Sequence, residues 1–296
     1  MGGQGVHAVA VRSGWSVGVL IALFKLRVVA LLVLASLGGA LLAAEGLPAG
    51  HALILLLMTG VLASAGASAL NQVIEREQDA RMQRTWRRPL ATGAVNPRSV
   101  WWMGSGLIAL AIAIAWPFNR WLAVFLALGA FIYVGVYTVW LKPRTPLNIV
   151  IGGAAGSCAV LSGSAAVGNW AHPTAIGLAL LVFVWTPIHF WSLAHAYRED
   201  YVSVGVPMLP AVVSPRATAR WIALHVAATV VVALALSMDP TLGWRYLALV
   251  VPASGWLVWQ AVQLLARPTA AQALWLFKYS NLYLGLGLLA IYLGTL

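Results

Sequence analysis

The chain carries little charge and almost no cysteine. Of its 296 residues, 8% are charged and only seven are aspartate or glutamate. A soluble domain carries roughly 25% charged residues, so this composition excludes an ordinary soluble enzyme. The single cysteine, Cys158, lies inside an apolar run, which excludes a disulfide framework and a cysteine-ligated zinc site. What remains is largely apolar, since 61% of the residues are hydrophobic.

The apolar residues occur in long stretches that recur along the whole chain. Stretches of about 20 residues are enough to cross a hydrocarbon core of about 30 Å as helices. We therefore predict an all-α polytopic membrane protein with a single membrane-embedded domain over 1–296, comprising a cytoplasmic segment at 1–25 and transmembrane helices over 26–295. The nine predicted spans are 26–44, 51–73, 99–117, 121–141, 147–168, 174–196, 219–237, 243–265 and 279–295.

The excess of basic residues encodes topology and does not indicate nucleic-acid binding. The net charge is +11, but the lysines and arginines lie in short connections between apolar runs. Nearly all of them lie on one side of the predicted bilayer, and Arg120 and Arg245 are the exceptions. Basic connections remain in the cytoplasm, which predicts a protein of the cell membrane with a cytoplasmic N-terminus and an external C-terminus.

Five of the seven acidic residues lie in two short segments, 71–79 and 197–201, each at the end of an apolar run. In the first segment Asn71, Glu75 and Asp79 are spaced four residues apart, so a helix places them on one face. Two carboxylates and an amide oxygen suit Mg²⁺, which completes its shell with water and substrate phosphate. These three residues, which we call the stripe, predict a magnesium site at a membrane boundary.

Arginines follow the stripe directly, and Arg84 and Arg88 are predicted to bind an anionic, phosphorylated substrate. The guanidinium group binds phosphate oxygens in a bidentate manner. The alternative is that these charges form ordinary ion pairs within the helix. Glu77 lies off the stripe, and for this residue we favour the ordinary ion pair.

The second acidic segment follows an aromatic helix. His189 and Tyr197 share a helical face, and Asp200 can approach the same face. His189 is either a hydrogen-bonded core histidine or a ligand for a group such as a haem iron or a porphyrin propionate. The two acidic segments, each at the end of an apolar helix, form a weak internal repeat. Two such halves that face each other would bring both segments to one central opening.

The connection between the fourth and fifth predicted spans is also basic. Lys142 and Arg144 are candidate diphosphate ligands, although ordinary positive-inside charge explains them equally well. Asn148 is a polar group inside a span, and the glycines at 152, 153 and 156 permit either close helix packing or room for a ligand.

These motifs together resemble those of the UbiA-type intramembrane prenyltransferases, and within them the branch that makes haem O. The first motif is Asn71-x3-Glu75-x3-Asp79-x2-Met82-x-Arg84-Thr85-x2-Arg88-Pro89-Leu90. The others are LKxRT and NIVIGGAAG within 141–156, HFW at 189–191, DY at 200–201 and GVPMLP at 205–210.

The resemblance implies nine helices around a central cavity open to the cytoplasm. The implied reaction transfers farnesyl from farnesyl diphosphate to the 2-vinyl group of haem B, with addition of water, in the lipid bilayer. The product, haem O, serves haem-copper oxidases. A complex with a haem A synthase or an oxidase assembly factor is left open.

The resemblance also assigns roles to residues. Asn71, Glu75 and Asp79 would bind Mg²⁺-diphosphate, and Asp200 would complete the metal site. The diphosphate ligands would be Arg84, Arg88, Lys142 and Lys25, joined by the candidate Arg144, and the haem contacts would be His189 and Tyr197.

Two other functions compete with this one. A related prenyltransferase acting on a quinone precursor would carry a second DxxxD motif, but Ala196 stands four residues before Asp200. A transporter would place charges near the bilayer midplane, whereas these carboxylates cluster at the ends of the spans.

Overall fold

The computed structural model describes residues 14–296. Much of the N-terminal segment predicted at 1–25 therefore lies outside the described residues. The described part is helical throughout and contains no β-strand. Its helices are α1 (Val17–Phe24), α2 (Leu26–Ala44), α3 (Gly50–Asp79), α4 (Pro97–Ala115), α5 (Arg120–Ala130), α6 (Asn148–Gly152), α7 (Ala154–Ala166), α8 (Pro173–Ala196), α9 (Arg198–Ser203), α10 (Leu209–Val212), α11 (Pro215–Leu236), α12 (Gly243–Ala266) and α13 (Ala270–Thr295).

The nine predicted spans are confirmed. Nine helices in residues 14–296 are long and apolar enough to cross a membrane, with α5 and α6 each continuing into the following helical segment to form one span. The boundary predicted for the ninth span was wrong, because α13 begins at Ala270 and not near 279. The Thr269 side chain accepts a hydrogen bond from the backbone N–H of Gln272 and caps this helix. The short helix α1 was not predicted.

The fourth and fifth spans depart from regular α-helix near the basic connection that joins them. After Ala130 the fourth span continues to Leu141 with wider π-helical turns. The fifth span is interrupted at Gly153, between α6 and α7. Such π-helical segments are rare and occur frequently at functional sites.

The predicted glycine cluster serves close packing. A Cβ atom at Gly152 would lie 2.8 Å from the Tyr137 ring, and one at Gly156 would lie 2.9 Å from Val182. These glycines bring the fifth span against the π-helical segment and α8. The alternative of an open space for a ligand is not what the structure shows at these two positions.

Helix α2 crosses α7 at a contact that only glycine permits. A Cβ atom built at Gly163 would lie 1.7 Å from the carbonyl oxygen of Ser36, and one at Gly39 would lie 2.2 Å from that of Val160. Small residues allow membrane helices to approach this closely and to pack by van der Waals contact. This crossing fixes α2 against α7, and the predicted site residue Lys25 lies immediately before α2.

The crossing predicts a strong effect of one added methyl group. Gly163→Ala should destabilise the protein by about 1–3 kcal/mol, because the helices must move apart to admit the side chain. Gly255→Ala in α12 is the matched control, since a Cβ atom there meets nothing within 4 Å. Thermal unfolding in detergent should show a lower midpoint for Gly163→Ala only. Equal midpoints would contradict the close crossing.

Candidate active site

The C-terminal half of α3 carries the predicted stripe of oxygen ligands into the interior. Asn71, Glu75 and Asp79 are 2%, 6% and 3% exposed. Their spacing of four residues puts them on one helical face, as the sequence predicted. Buried carboxylates require compensating charge or hydrogen bonds, so the partners of this stripe define the site.

Each member of the stripe binds a basic side chain from a different part of the chain. The Lys142 ammonium group lies 2.5 Å from Glu75, and the Arg88 guanidinium group lies 2.7 Å from Asp79. Lys25, between α1 and α2, donates to the amide oxygen of Asn71 at 2.7 Å. The alternative of ion pairs within the helix is wrong for Glu75 and Asp79. It is confirmed for Glu77, which pairs with Arg76 at 2.9 Å.

The π-helical segment contributes residues that the sequence did not reveal as site members. The Asn71 amide group donates to the Thr138 hydroxyl at 3.0 Å, and that hydroxyl donates to the backbone carbonyl of Tyr133 at 2.8 Å. Lys25 also donates to the Tyr133 hydroxyl at 3.3 Å, and the Tyr133 ring stacks on that of Tyr137. Because a sequence pattern does not reveal wide helical turns, only their position before the basic connection could have suggested them.

The surroundings shift the pKa values of the two lysines in opposite directions. Burial, reinforced by the positive charge of Arg88, lowers the pKa of Lys25 to about 7. Burial would also lower the pKa of Lys142, but the negative charge of Glu75 outweighs it and raises that pKa. The cluster thus holds one ammonium group with a strong carboxylate partner and another whose partner is a neutral amide. A bound anion would stabilise the charge of Lys25.

Asp200 contacts the loop that follows the first acidic segment, and its partners are backbone N–H groups. One of its carboxylate oxygens accepts the backbone N–H of Gln83 at 3.1 Å, and the other accepts that of Arg84 at 3.2 Å. Asp200 therefore fixes the loop at 80–96 against α9. The Arg84 guanidinium group is exposed and lies 3.5 Å from the Tyr201 hydroxyl.

Arg144 and Tyr197 lie apart from the stripe. The Arg144 side chain is exposed and donates to the backbone carbonyls of Val139 and Trp140, so it caps the π-helical segment. Tyr197 is the residue that ends α8, and its hydroxyl forms no hydrogen bond within residues 14–296. Neither residue forms a hydrogen bond or ion pair with the carboxylates of the stripe among the described residues. The haem contact predicted for Tyr197 stays a prediction.

His189 lies in an aromatic sandwich. Its ring centroid is 4.8 Å from that of Trp185 and 4.7 Å from that of Phe277, and Phe190 meets it edge on. Its Nδ1 atom lies 3.5 Å from the Ser280 hydroxyl, a long contact. The half-buried ring is therefore held mainly by apolar contacts. Phe277 was missed because it lies before residue 279, where the sequence pattern placed the start of the ninth span. The contact of Ser280 with His189 joins two spans 91 residues apart, and no local pattern indicates it.

The donors of α3 suit Mg²⁺ in chemistry. Glu75 and Asp79 each give one oxygen to a basic residue, and the second oxygen of each accepts no hydrogen bond from residues 14–296. Within the same residues, no three His, Cys, Asp or Glu side chains are close enough to hold a metal ion together. The two carboxylates and Asn71 would therefore need substrate oxygens to complete a magnesium shell, which is the usual arrangement for this ion.

A polytopic helical bundle with a buried cluster of carboxylates and basic groups is typical of a membrane enzyme. Residues 31–282 match the UbiA prenyltransferase family, and the chain belongs to this family. The fold and the site therefore describe a membrane-embedded prenyltransferase.

Curated relatives match nearly the whole chain. The protoheme IX farnesyltransferase of Metallosphaera sedula is 39% identical over 274 residues, which are 93% of this chain and 95% of that protein. The protoheme IX farnesyltransferase of Thermus thermophilus is 41% identical over 286 residues, which are 96% of this chain. The chain spans 47% of the length of the Thermus protein.

Solved structures share the fold at low sequence identity. A digeranylgeranylglyceryl phosphate synthase superposes with a TM-score of 0.78 at 17% identity, covering 94% of this chain and 98% of its own. A UbiA homologue from Archaeoglobus fulgidus bound to DMAPP and Mg²⁺ gives 0.63 at 17% identity, covering 92% and 98%. These similarities confirm the predicted nine-helix arrangement.

The contacts of Asp200 predict a metal-independent effect of its removal. Asp200→Ala should release the loop at 80–96, since two hydrogen bonds to a carboxylate are lost. Trypsin, added in the presence of EDTA, should then cut this loop at Arg81, Arg84 or Arg87 about tenfold faster than in the wild type, because cleavage follows the population of the open loop.

The neighbouring exposed carboxylate provides the control for this digestion. Glu199→Ala should be cut at the wild-type rate, because Glu199 makes no hydrogen bond or ion pair among the described residues. If Asp200→Ala and wild type are cut equally in EDTA and differ only with Mg²⁺ added, Asp200 is a metal ligand and not the clamp of the loop.

Proposed function

We propose that the chain is a haem O synthase, which transfers farnesyl from farnesyl diphosphate to the 2-vinyl group of haem B and adds a water-derived hydroxyl. The observation that carries this proposal is the buried stripe of α3, in which each carboxylate is neutralised by a basic side chain from another element. The near full-length similarity to proteins named protoheme IX farnesyltransferase supports the choice of donor and acceptor.

Magnesium fits the proposed reaction. Asn71, Glu75 and Asp79 would hold the ion, and the Archaeoglobus homologue bound to DMAPP and Mg²⁺ supports this cofactor. When bound, the ion would neutralise charge that develops on the departing diphosphate. The contribution of Asp200 would be to hold the loop that carries Arg84 and Arg88 against the site.

The protein's own contribution to the reaction would come from its basic side chains. Lys142 and Arg88 neutralise the two carboxylates of the stripe, and Lys25 donates to its amide oxygen. Each of the three would transfer its contact to a diphosphate oxygen when substrate binds. They would then stabilise the negative charge on the leaving group as the allylic C–O bond breaks. The vinyl carbon of haem B would form the new C–C bond as the diphosphate leaves. Water would then add to the resulting cation and lose one proton to the released diphosphate or to solvent, which leaves the hydroxyl group.

Water must reach that cation but not the farnesyl fragment. The apolar helices around the stripe would keep bulk water away from the allylic carbon, and the aromatic sandwich of His189 would hold the flat porphyrin. Tyr197 is the second residue that we propose to contact the porphyrin. We further propose that the stripe opens to the cytoplasm, with the N-terminus inside and the C-terminus outside, as the positive-inside pattern indicates.

Product analysis tests the proposed function. The chain should be expressed in a host without its own haem O synthase, and the extracted haems should be separated and weighed by mass spectrometry. A species heavier than haem B by one farnesyl chain and one water is expected. If folded, membrane-inserted protein yields haem B alone, the haem acceptor is wrong, and quinone precursors become the acceptors to test.

The stripe predicts the effect of a conservative change. Asp79→Asn should lower turnover by at least about 100-fold, because a charged group that acts on the transition state is lost. Glu77→Gln is the control, since Glu77 is exposed and pairs only with Arg76 among the described residues. Glu77→Gln should unfold at the wild-type temperature, whereas Asp79→Asn should unfold at a lower one because Arg88 loses its carboxylate partner. Turnover is therefore measured well below both unfolding midpoints. Substantial turnover in Asp79→Asn would remove Asp79 from the site.

The two arginines that flank the site should differ. Arg88→Met should weaken the binding of pyrophosphate by about tenfold, as expected when one charge-assisted contact is lost. Arg144→Met should bind it like the wild type, because the Arg144 side chain caps its own helix. Calorimetric titration in the presence of Mg²⁺ measures both, and an equal loss in both variants would restore Arg144 as a ligand.

A further inference from the structure

Gln72, the residue after Asn71, is fully buried and has no role in the site as described so far. Its amide nitrogen donates to the backbone carbonyls of Ala22 at 2.9 Å and of Leu23 at 2.8 Å. Both partners are acceptors, so the amide cannot be turned around. Its own oxygen is buried without a hydrogen-bond partner in residues 14–296. Burying the amide oxygen of Gln72 without a hydrogen-bond partner costs free energy. The two hydrogen bonds that its nitrogen donates to backbone carbonyls have a structural role.

Those two carbonyls belong to the end of α1. The last carbonyls of a helix have no donor within the helix, and here the side chain of Gln72 satisfies two of them. The chain then turns at Lys25, whose φ of 49° and ψ of 50° are left-handed and unfavourable for a residue with a Cβ atom. Helix α2 starts at the next residue. The break between α1 and α2 is therefore held from α3.

The break directs Lys25 into the site. Its ammonium group lies 2.7 Å from the Asn71 amide oxygen and 3.3 Å from the Tyr133 hydroxyl. One turn of α3 thus both fixes the backbone of this turn, through Gln72, and receives its side chain, through Asn71. Leu23, also at the end of α1, is buried in an apolar cluster with Val73 and Leu90, which adds a second attachment.

We infer that Gln72 is a positioning residue, which holds the end of α1 so that the Lys25 ammonium group reaches the diphosphate of the substrate. This inference rests on the proposed function, because it assumes that a diphosphate binds at the stripe. Gln72 itself touches no substrate. It acts through Lys25, so its effect should require that lysine.

A double-mutant cycle tests this dependence. The full chain in detergent is titrated with pyrophosphate in the presence of Mg²⁺, and the dissociation constant is measured by calorimetry. Gln72→Met keeps the length of the side chain and removes both hydrogen bonds. We expect it to weaken binding about tenfold when Lys25 is present, and to have no further effect in the Lys25→Met background.

A control shows whether loss of a part-buried hydrogen bond of an amide elsewhere in the bundle is enough by itself to weaken pyrophosphate binding. Gln272 donates to Gln260 at 2.8 Å between α12 and α13. Gln272→Met should bind pyrophosphate like the wild type. If Gln72→Met has no effect, or weakens binding equally with and without Lys25, Gln72 does not position this lysine and the inference is overturned.

Two further measurements keep the test decisive. If Gln72→Met does not fold, Gln72→Asn replaces it, since the asparagine side chain is one methylene shorter and its amide cannot reach both carbonyls.

Product analysis of the wild type is run in parallel. Wild-type protein that binds pyrophosphate but makes no haem O leaves the cycle valid and rejects the haem acceptor, whereas wild-type protein that binds no pyrophosphate rejects both proposals.

Discussion

The pairing of two buried carboxylates with two basic side chains is the interaction on which the polar end of this molecule depends. Glu75 and Asp79 are buried on a helix of an otherwise apolar bundle, where an uncompensated charge would be very costly. Lys142 and Arg88 arrive from two different connections to neutralise them. Removing one partner of such a pair typically costs about 3–5 kcal/mol, so the connections are held to α3 by the same charges that would handle a diphosphate.

This arrangement explains why the proposed site can be stable before substrate arrives. The ion pairs replace solvent around each carboxylate, while one oxygen of each carboxylate stays free of hydrogen bonds within residues 14–296. Magnesium diphosphate brings both a cation for the carboxylates and an anion for the basic groups. Binding would therefore exchange one set of ion pairs for another and leave no charge uncompensated. Asp200 contributes from the other half of the chain by fixing the loop that carries Arg88.

Much of this could be predicted from the sequence, because it follows from local spacing. The nine spans follow from apolar length, and the common face of Asn71, Glu75 and Asp79 follows from the helical repeat. Contacts between distant segments leave no such periodicity. The π-helical turns that place Thr138 beside Asn71, the capping by Arg144 of its own helix and the backbone contacts of Asp200 all depend on tertiary packing. The early start of α13 was missed because Lys278, which lies within the helix, was read as the end of a basic connection, although residues 270–277 are mostly apolar.

The most direct test of this account is a structure of the full chain with an unreactive farnesyl diphosphate analogue and Mn²⁺ in place of Mg²⁺, with the metal located by its anomalous signal. The account predicts a metal ion between the diphosphate and the carboxylates of Glu75 and Asp79. It also predicts that Lys142 and Arg88 will have left those carboxylates and will contact the diphosphate oxygens. A diphosphate bound elsewhere, with both ion pairs intact, would contradict the account.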